Sequence, residues 1–285
     1  MEQQRIPLCL QNHCISPIKI LYAHSRGRKS CAAFDTCFLS NFSHLPMPNI
    51  HISTGEKGGV GKSMLNRTHI QFLLDHHIDF RAVETDRSNP DTYRLYKDDV
   101  DFILSVFSES DRFEDSANNI FNSGLEKLTC INTPAQIYPA LTQWFANNQI
   151  LEIAQDAGVT FWFWFVTDGG YDSLNLLKKT LEFFENGVRY VVVRNEGRTD
   201  DFAAMDSDKQ LQRLMKKYEA SVITLPKLLG SVWRNRMDAE SLTFEAALSH
   251  PECGLIDRQR IRRFLTTSYE AFLASGAFSD VIQPK

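Results

Sequence analysis

Apolar residues along the chain fall into two rhythms that take turns. Short runs of consecutive or alternating apolar residues at 50–54, 80–85, 128–132, 160–167, 189–195 and 221–225 read as strands. Between them, segments of helical period lie near 63–77, 134–157, 173–186, 206–219, 239–249 and 258–274. Regular strand–helix alternation predicts an α/β fold, a doubly wound and mostly parallel sheet flanked by helices. The run Phe161-Trp162-Phe163-Trp164-Phe165-Val166 suits a central strand buried on both faces, and it is far shorter than the roughly 20 apolar residues a membrane span needs. Ligands of such sheets bind beyond the carboxyl ends of the strands. Thr54, Asp86, Asp168 and Asn195 fall there by this reading. Residues 98–127 mix polar residues with short apolar runs and read as a helix with surface loops.

The first 46 residues have no clear period and hold four of the six cysteines, Cys9, Cys14, Cys31 and Cys37. Residues 1–46 are therefore expected to be an unstructured extension or an over-long translation start, with Met47 as the natural initiator. A zinc site built from these cysteines with His13 or His24 is the alternative, although the spacing is looser than the two-residue spacing of structural zinc sites. The main domain is expected over 47–276, with a C-terminal tail at 277–285. At 285 residues and 43% hydrophobic content the chain has enough apolar surface for one full core. The cysteines form no disulfide framework and no unbroken apolar signal core opens the chain, so the expected compartment is the cytoplasm. A formal net charge of −4 gives no global attraction to nucleic acid. Local basicity occurs at Arg26, Arg28 and Lys29, and near the C-terminus at Arg234 and Arg236 and at Arg258, Arg260, Arg262 and Arg263.

Candidate chemistry is concentrated at 55–63, Gly-Glu-Lys-Gly-Gly-Val-Gly-Lys-Ser, between the first strand and the first helix. This is a phosphate-binding loop. Gly58, Gly59 and Gly61 let the backbone turn its N–H groups around an anion, and Val60 and Met64 complete the turn and the helix start. Lys62 adds a charge at the β and γ phosphates, Ser63 a hydroxyl for Mg²⁺, and the helix its positive end. The expected ligands are ATP and Mg²⁺.

The second lysine, Lys57, opening Lys-Gly-Gly-Val-Gly-Lys-Ser, resembles the deviant Walker A loop of the ParA/MinD family of ATPases. In that family the early lysine crosses a dimer interface to the partner's nucleotide. The resemblance implies a homodimer formed on ATP binding, with Lys57 acting in trans. Glu84-Thr85-Asp86 stands where the family usually has Asp-x-Asp-Pro, which gives Asp86 the role of orienting water near the γ-phosphate and Mg²⁺. Arg87 replaces the proline. Asp168-Gly169-Gly170 takes the Walker B place, so Asp168 would hold Mg²⁺ through water opposite Ser63. Asn195 and Pro226 match residues that contact and close over the adenine. The nearest flavour of the family is the one carried on mobile elements, partition proteins and TraL-like mobilisation ATPases. This implies a partner protein, a DNA-binding adaptor or a relaxase, with non-specific DNA as a further ligand and no stable membrane insertion.

Two other classes stay open on the residues: a nucleotide-binding regulatory module with little hydrolysis, and an ATP-dependent ligase or amidase of the same fold. The ligases lack a lysine like Lys57. His76 and His77 close the first helix, where a cation favours the helix dipole, and read as a cap rather than as catalysts.

Overall fold

The reason the aromatic run is tolerated lies in the period of a strand, which sends successive side chains to opposite faces. In the computed structural model, which describes residues 49–55, 58–108 and 115–282, Phe161, Phe163 and Phe165 enter one core while Trp164 and Val166 enter another. Both cores are closed by helices. The central strand therefore buries both of its faces. Each fully buried aromatic contributes on the order of 1.5–3 kcal/mol against exposure.

The elements run β1 (Asn49–Thr54), α1 (Lys62–Asp75), β2 (Phe80–Glu84), α2 (Asp91–Tyr96), β3 (Phe102–Leu104), α3 (Asn118–Glu126), β4 (Leu128–Asn132), α4 (Tyr138–Asn147) and α5 (Ile150–Ala157). They continue with β5 (Thr160–Thr167), α6 (Tyr171–Phe184), β6 (Arg189–Asn195), α7 (Ala203–Ser207), α8 (Lys209–Lys217), β7 (Ser221–Leu225), α9 (Ser231–Ala239), α10 (Phe244–Ser249) and α11 (Leu255–Ala274). Among the described residues the sheet has seven strands in the order β3-β2-β4-β1-β5-β6-β7, all parallel. β1 lies at its centre. Helices α1, α2 and α9 to α11 pack on one face, and α3 to α8 on the other. This is the predicted fold class.

Several boundaries differ from the sequence reading. The segment 134–157 is two helices, because Gln149 takes a left-handed conformation (φ 49°) and breaks the period between α4 and α5. The span 98–127 holds an edge strand as well as a helix; β3 is three residues long, too short to show alternation. The stretch 206–219 divides at Asp208, whose carboxylate accepts from the Gln210 and Leu211 N–H groups and so opens α8 as a side-chain cap. A helix absent from the sequence reading, α9, begins at Ser231. Within the C-terminal tail, Ala277 and Phe278 are buried. The expected extension over 1–46, its alternative zinc ligands Cys9, Cys14, Cys31, Cys37, His13 and His24, and Glu56 and Lys57 lie outside the described residues.

Phe278 enters a cage around two buried histidines. His51 of β1 stacks on Phe278 at 4.7 Å between ring centroids and accepts a hydrogen bond at Nδ1 from Trp164 Nε1 at 3.1 Å. His69 of α1 meets Trp164 edge-on at 4.2 Å and Phe272 at 4.4 Å. Desolvation lowers the His51 pKa to about 3, and it lowers His69 well below the ordinary histidine value, with His51 as a second, smaller cause. At the end of α1, His76 Nδ1 lies 2.8 Å from the Phe72 carbonyl, so this histidine is held at the helix terminus.

A histidine whose pKa is depressed by folding binds fewer protons folded than unfolded, so stability falls as pH drops from about 6.5 towards the folded value. For His51 alone the loss by pH 5 is about 2 kcal/mol, at about 1.4 kcal/mol per unit of pH. Urea unfolding at a series of pH values should show this slope. His51→Asn, which keeps an acceptor for Trp164, should flatten it while lowering stability at neutral pH. An unchanged slope in that variant would remove His51 as its source.

Candidate functional site

The carboxyl edge of β1 turns into a loop that only glycine fits at its tightest points. Gly61 precedes α1 at φ 110°, and a Cβ there would stand 2.1 Å from Asn195 Nδ2. Gly55 takes φ 145°, and its Cβ would lie 2.8 Å from the Val166 carbonyl oxygen of the neighbouring strand. Both positions are closed to any side chain. No side chain caps α1 and its first turn holds no acidic residue, so the positive helix end faces the loop unopposed by a carboxylate of its own.

Lys62 is buried and its Nζ donates to the Gly55 carbonyl at 2.8 Å, lying back across the loop. Above it opens a cleft of about 520 Å³ lined by Gly58, Gly59, Gly61, Lys62, Ser63, Met64 and, from the loop after β2, Asp86. A second recess of about 290 Å³ shares Gly61 and Met64 and adds Asn195, Gly197 and Pro226. The structure thus brings together the loop glycines, Lys62, Ser63, Met64 and Asp86, with Asn195 and Pro226 alongside. Val60 is buried beneath the loop. Asp168 follows β5, lies outside the lining of both recesses and accepts from the Gly170 N–H at 3.0 Å. Lys57 is outside the described residues.

Asp86 is set by a turn of its own making. Its Oδ1 accepts from the Ser88 N–H, the Ser88 hydroxyl and the Asn89 N–H, an Asx turn that orients the carboxylate. Beneath it lies Glu84, where the family pattern has aspartate. Glu84 is buried and accepts from Thr92 Oγ1, from the Asp86 N–H at 3.0 Å and from Asn132 Nδ2 at 2.9 and 3.1 Å. Burial raises its pKa, opposed by those hydrogen bonds. Asn132 Oδ1 accepts in turn from Asn66 Nδ2 at 3.0 Å. One buried network therefore links α1, β4, β2 and α2, and it fixes the Asp86 loop relative to the phosphate loop. Asn66, Thr92 and Asn132 gave no signal in the sequence, since none belongs to a motif.

Asn195 is committed at both ends of its amide. Nδ2 donates to the Val60 carbonyl at 2.5 Å, and Oδ1 accepts from the Gly197 N–H at 2.9 Å. It thus clamps the phosphate loop to the turn after β6. That turn carries Arg198, which lines both recesses. Its position just past a strand's carboxyl end was the available sequence signal. Arg67 of α1 also lines the larger cleft, paired with Asp238 of α9 at 2.6 Å.

The basic residues near the C-terminus are in part already used. Arg258 donates to the His250 carbonyl at 2.9 Å, Arg260 pairs with Asp257, and Arg236 pairs with Glu240 and Glu252. Arg262 and Arg263 are exposed on α11. No helix among the described residues is long and apolar enough to cross a membrane, and they contain no cluster of metal-ligating side chains.

No family model matches the chain. It is 24% identical over 186 residues to protein MobD of Acidithiobacillus ferrooxidans, covering 65% of this chain and 80% of that one. Similar solved structures are MinD-type ATPases. The MinD cell division protein of Aquifex aeolicus is 12% identical, with 76% of this chain and 95% of that one covered and a TM-score of 0.44. The septum site-determining protein MinD of Pyrococcus horikoshii, complexed with Mg-ADP, is 13% identical, with 80% and 98% covered and a TM-score of 0.45.

The Glu84 network predicts a specific cost. Glu84→Gln sets an amide donor against the donors of Asn132, Thr92 and the Asp86 N–H, leaving at least one buried group unmatched, at about 1–3 kcal/mol. Urea denaturation of wild type and variant should read this loss as a lower midpoint. Equal midpoints would show that the carboxylate does not hold the loop.

Proposed function

We propose that this chain is an ATP-binding and hydrolysing switch of the ParA/MinD type. The observation that carries the reading is the single cleft in which Lys62 and Ser63, at the uncapped start of α1, face Asp86 held in its Asx turn. The residues present fit a nucleotide's phosphates: the cradle at Gly61 excludes a side chain, and the donor set consists of backbone amides, an ammonium and a hydroxyl.

In this reading the loop amides and Lys62 bind the phosphates, with Lys62 leaving the Gly55 carbonyl to do so. Ser63 would hold Mg²⁺ with Asp86, and Asp168, outside the cleft lining, would reach it through water; the bound ion would neutralise charge on the phosphate oxygens. Asp86 positions and polarises the attacking water. Lys57 would supply its charge to a second subunit, so that full neutralisation waits for association. The base would lie in the recess of Asn195 and Pro226. The likeness to MobD supports the mobilisation form of this reading, in which ATP-dependent association recruits a DNA-binding adaptor or relaxase. Arg262 and Arg263, exposed on α11, are the residues available for non-specific contact with DNA.

Four proteins test it: wild type, Lys57→Ala, Lys62→Ala and Asp86→Asn. Lys62→Ala should lose ATP binding by calorimetry. Asp86→Asn should retain binding and release phosphate about 10²-fold or more slowly. Lys57→Ala should bind ATP yet fail to dimerise with Mg-ATP in light scattering. Wild type that binds no ATP would end the proposal; turnover by a monomer insensitive to Lys57→Ala would assign the fold to a ligase instead.

A further inference from the structure

The larger cleft has three guanidinium groups on its walls, and two of them are neutralised within the fold. Arg67 pairs with Asp238 at 2.6 Å, and Arg94 pairs with Asp91 at 2.9 Å. The third, Arg198, has no carboxylate and no hydrogen-bond partner for its side chain among the described residues, and it is exposed to the cleft. Its Nη2 lies only 3.2 Å from where a Cβ on Gly59 would stand, so the guanidinium sits directly over the phosphate loop.

This placement is built rather than incidental. The Arg198 N–H donates to the Asn195 carbonyl at 3.0 Å, closing a turn, and the Gly197 N–H donates to Asn195 Oδ1 at 2.9 Å. A Cβ on Gly197 would fall 2.9 Å from that same oxygen, so the turn needs glycine there. The other end of the Asn195 amide holds the Val60 carbonyl. One buried asparagine therefore fixes the arginine's backbone against the loop its side chain overhangs. An exposed, uncompensated fork of N–H donors at such a place suits an anion presenting several oxygens, and phosphate is the match for guanidinium geometry.

We propose that Arg198 is a phosphate-binding residue of the chain's own site, contacting the nucleotide's β and γ phosphoryl oxygens from the β6–α7 turn. The inference rests on the nucleotide reading above and adds a cation supplied in cis, alongside Lys62. It also explains why Asn195 is spent on backbone: its task is to hold Arg198 and the loop in register.

Isothermal titration of full-length wild type, Arg198→Ala, Arg198→Lys and Lys62→Ala with Mg-ATP and Mg-ADP, at two KCl concentrations, tests this. Arg198→Ala should bind both nucleotides about tenfold more weakly, the worth of one charge-assisted contact, and with a shallower dependence on KCl. Arg198→Lys should recover part of the loss, and melting temperatures without nucleotide should match wild type, since the side chain supports no described contact. Unchanged affinity in Arg198→Ala, while Lys62→Ala loses binding, would overturn the role of Arg198 and leave the ATP-switch reading intact. A loss that lysine does not relieve and KCl does not modulate would equally overturn it. Wild type that binds neither nucleotide would overturn both.

Discussion

The hydrogen bond from Asn195 Nδ2 to the Val60 carbonyl holds the working edge of this protein together. A phosphate loop is a stretch of backbone bent against its preferences, with Gly61 and Gly55 both in conformations that favour glycine. Such a bend persists only when its surroundings over-determine it. Here β6 supplies the constraint from the side through Asn195, and β5 supplies it from below, where the Val166 carbonyl limits Gly55. The loop is thus seated between two neighbouring strands of the sheet.

A second constraint governs the other wall of the cleft. The Asx turn of Asp86 rests on a buried carboxylate that binds α1, β4 and α2 into one unit. Glutamate in place of a shorter acid is what permits that reach: its oxygens meet Thr92 on one side and Asn132 on the other. Glutamate at position 84 therefore has a structural reason: it concerns how the Asp86 loop is held.

Much of this was legible in the chain. The strands called over 50–54, 80–85, 128–132, 160–167, 189–195 and 221–225 all form, because buried parallel strands need near-continuous apolar runs that helices flanked by polar residues do not imitate. The phosphate loop was readable because its geometry demands particular residues at fixed spacing. What escaped had no local period or spacing to betray it. β3 is too short to alternate, the α4–α5 break rests on a single left-handed glutamine, and the Asn66–Asn132–Glu84 relay joins residues far apart in sequence. The pairing of Asn195 with Val60, across 135 positions, is likewise a product of tertiary structure alone.

Phe278 has a consequence for how the molecule is made. This ring packs against His51 of the central strand and Phe72 of α1, elements synthesised some two hundred residues earlier. During translation the first strand and helix must wait, with part of their apolar surface uncovered, until nearly the whole described chain has left the ribosome. Shortening the chain before Phe278 would uncover part of β1 and α1 rather than trim the surface.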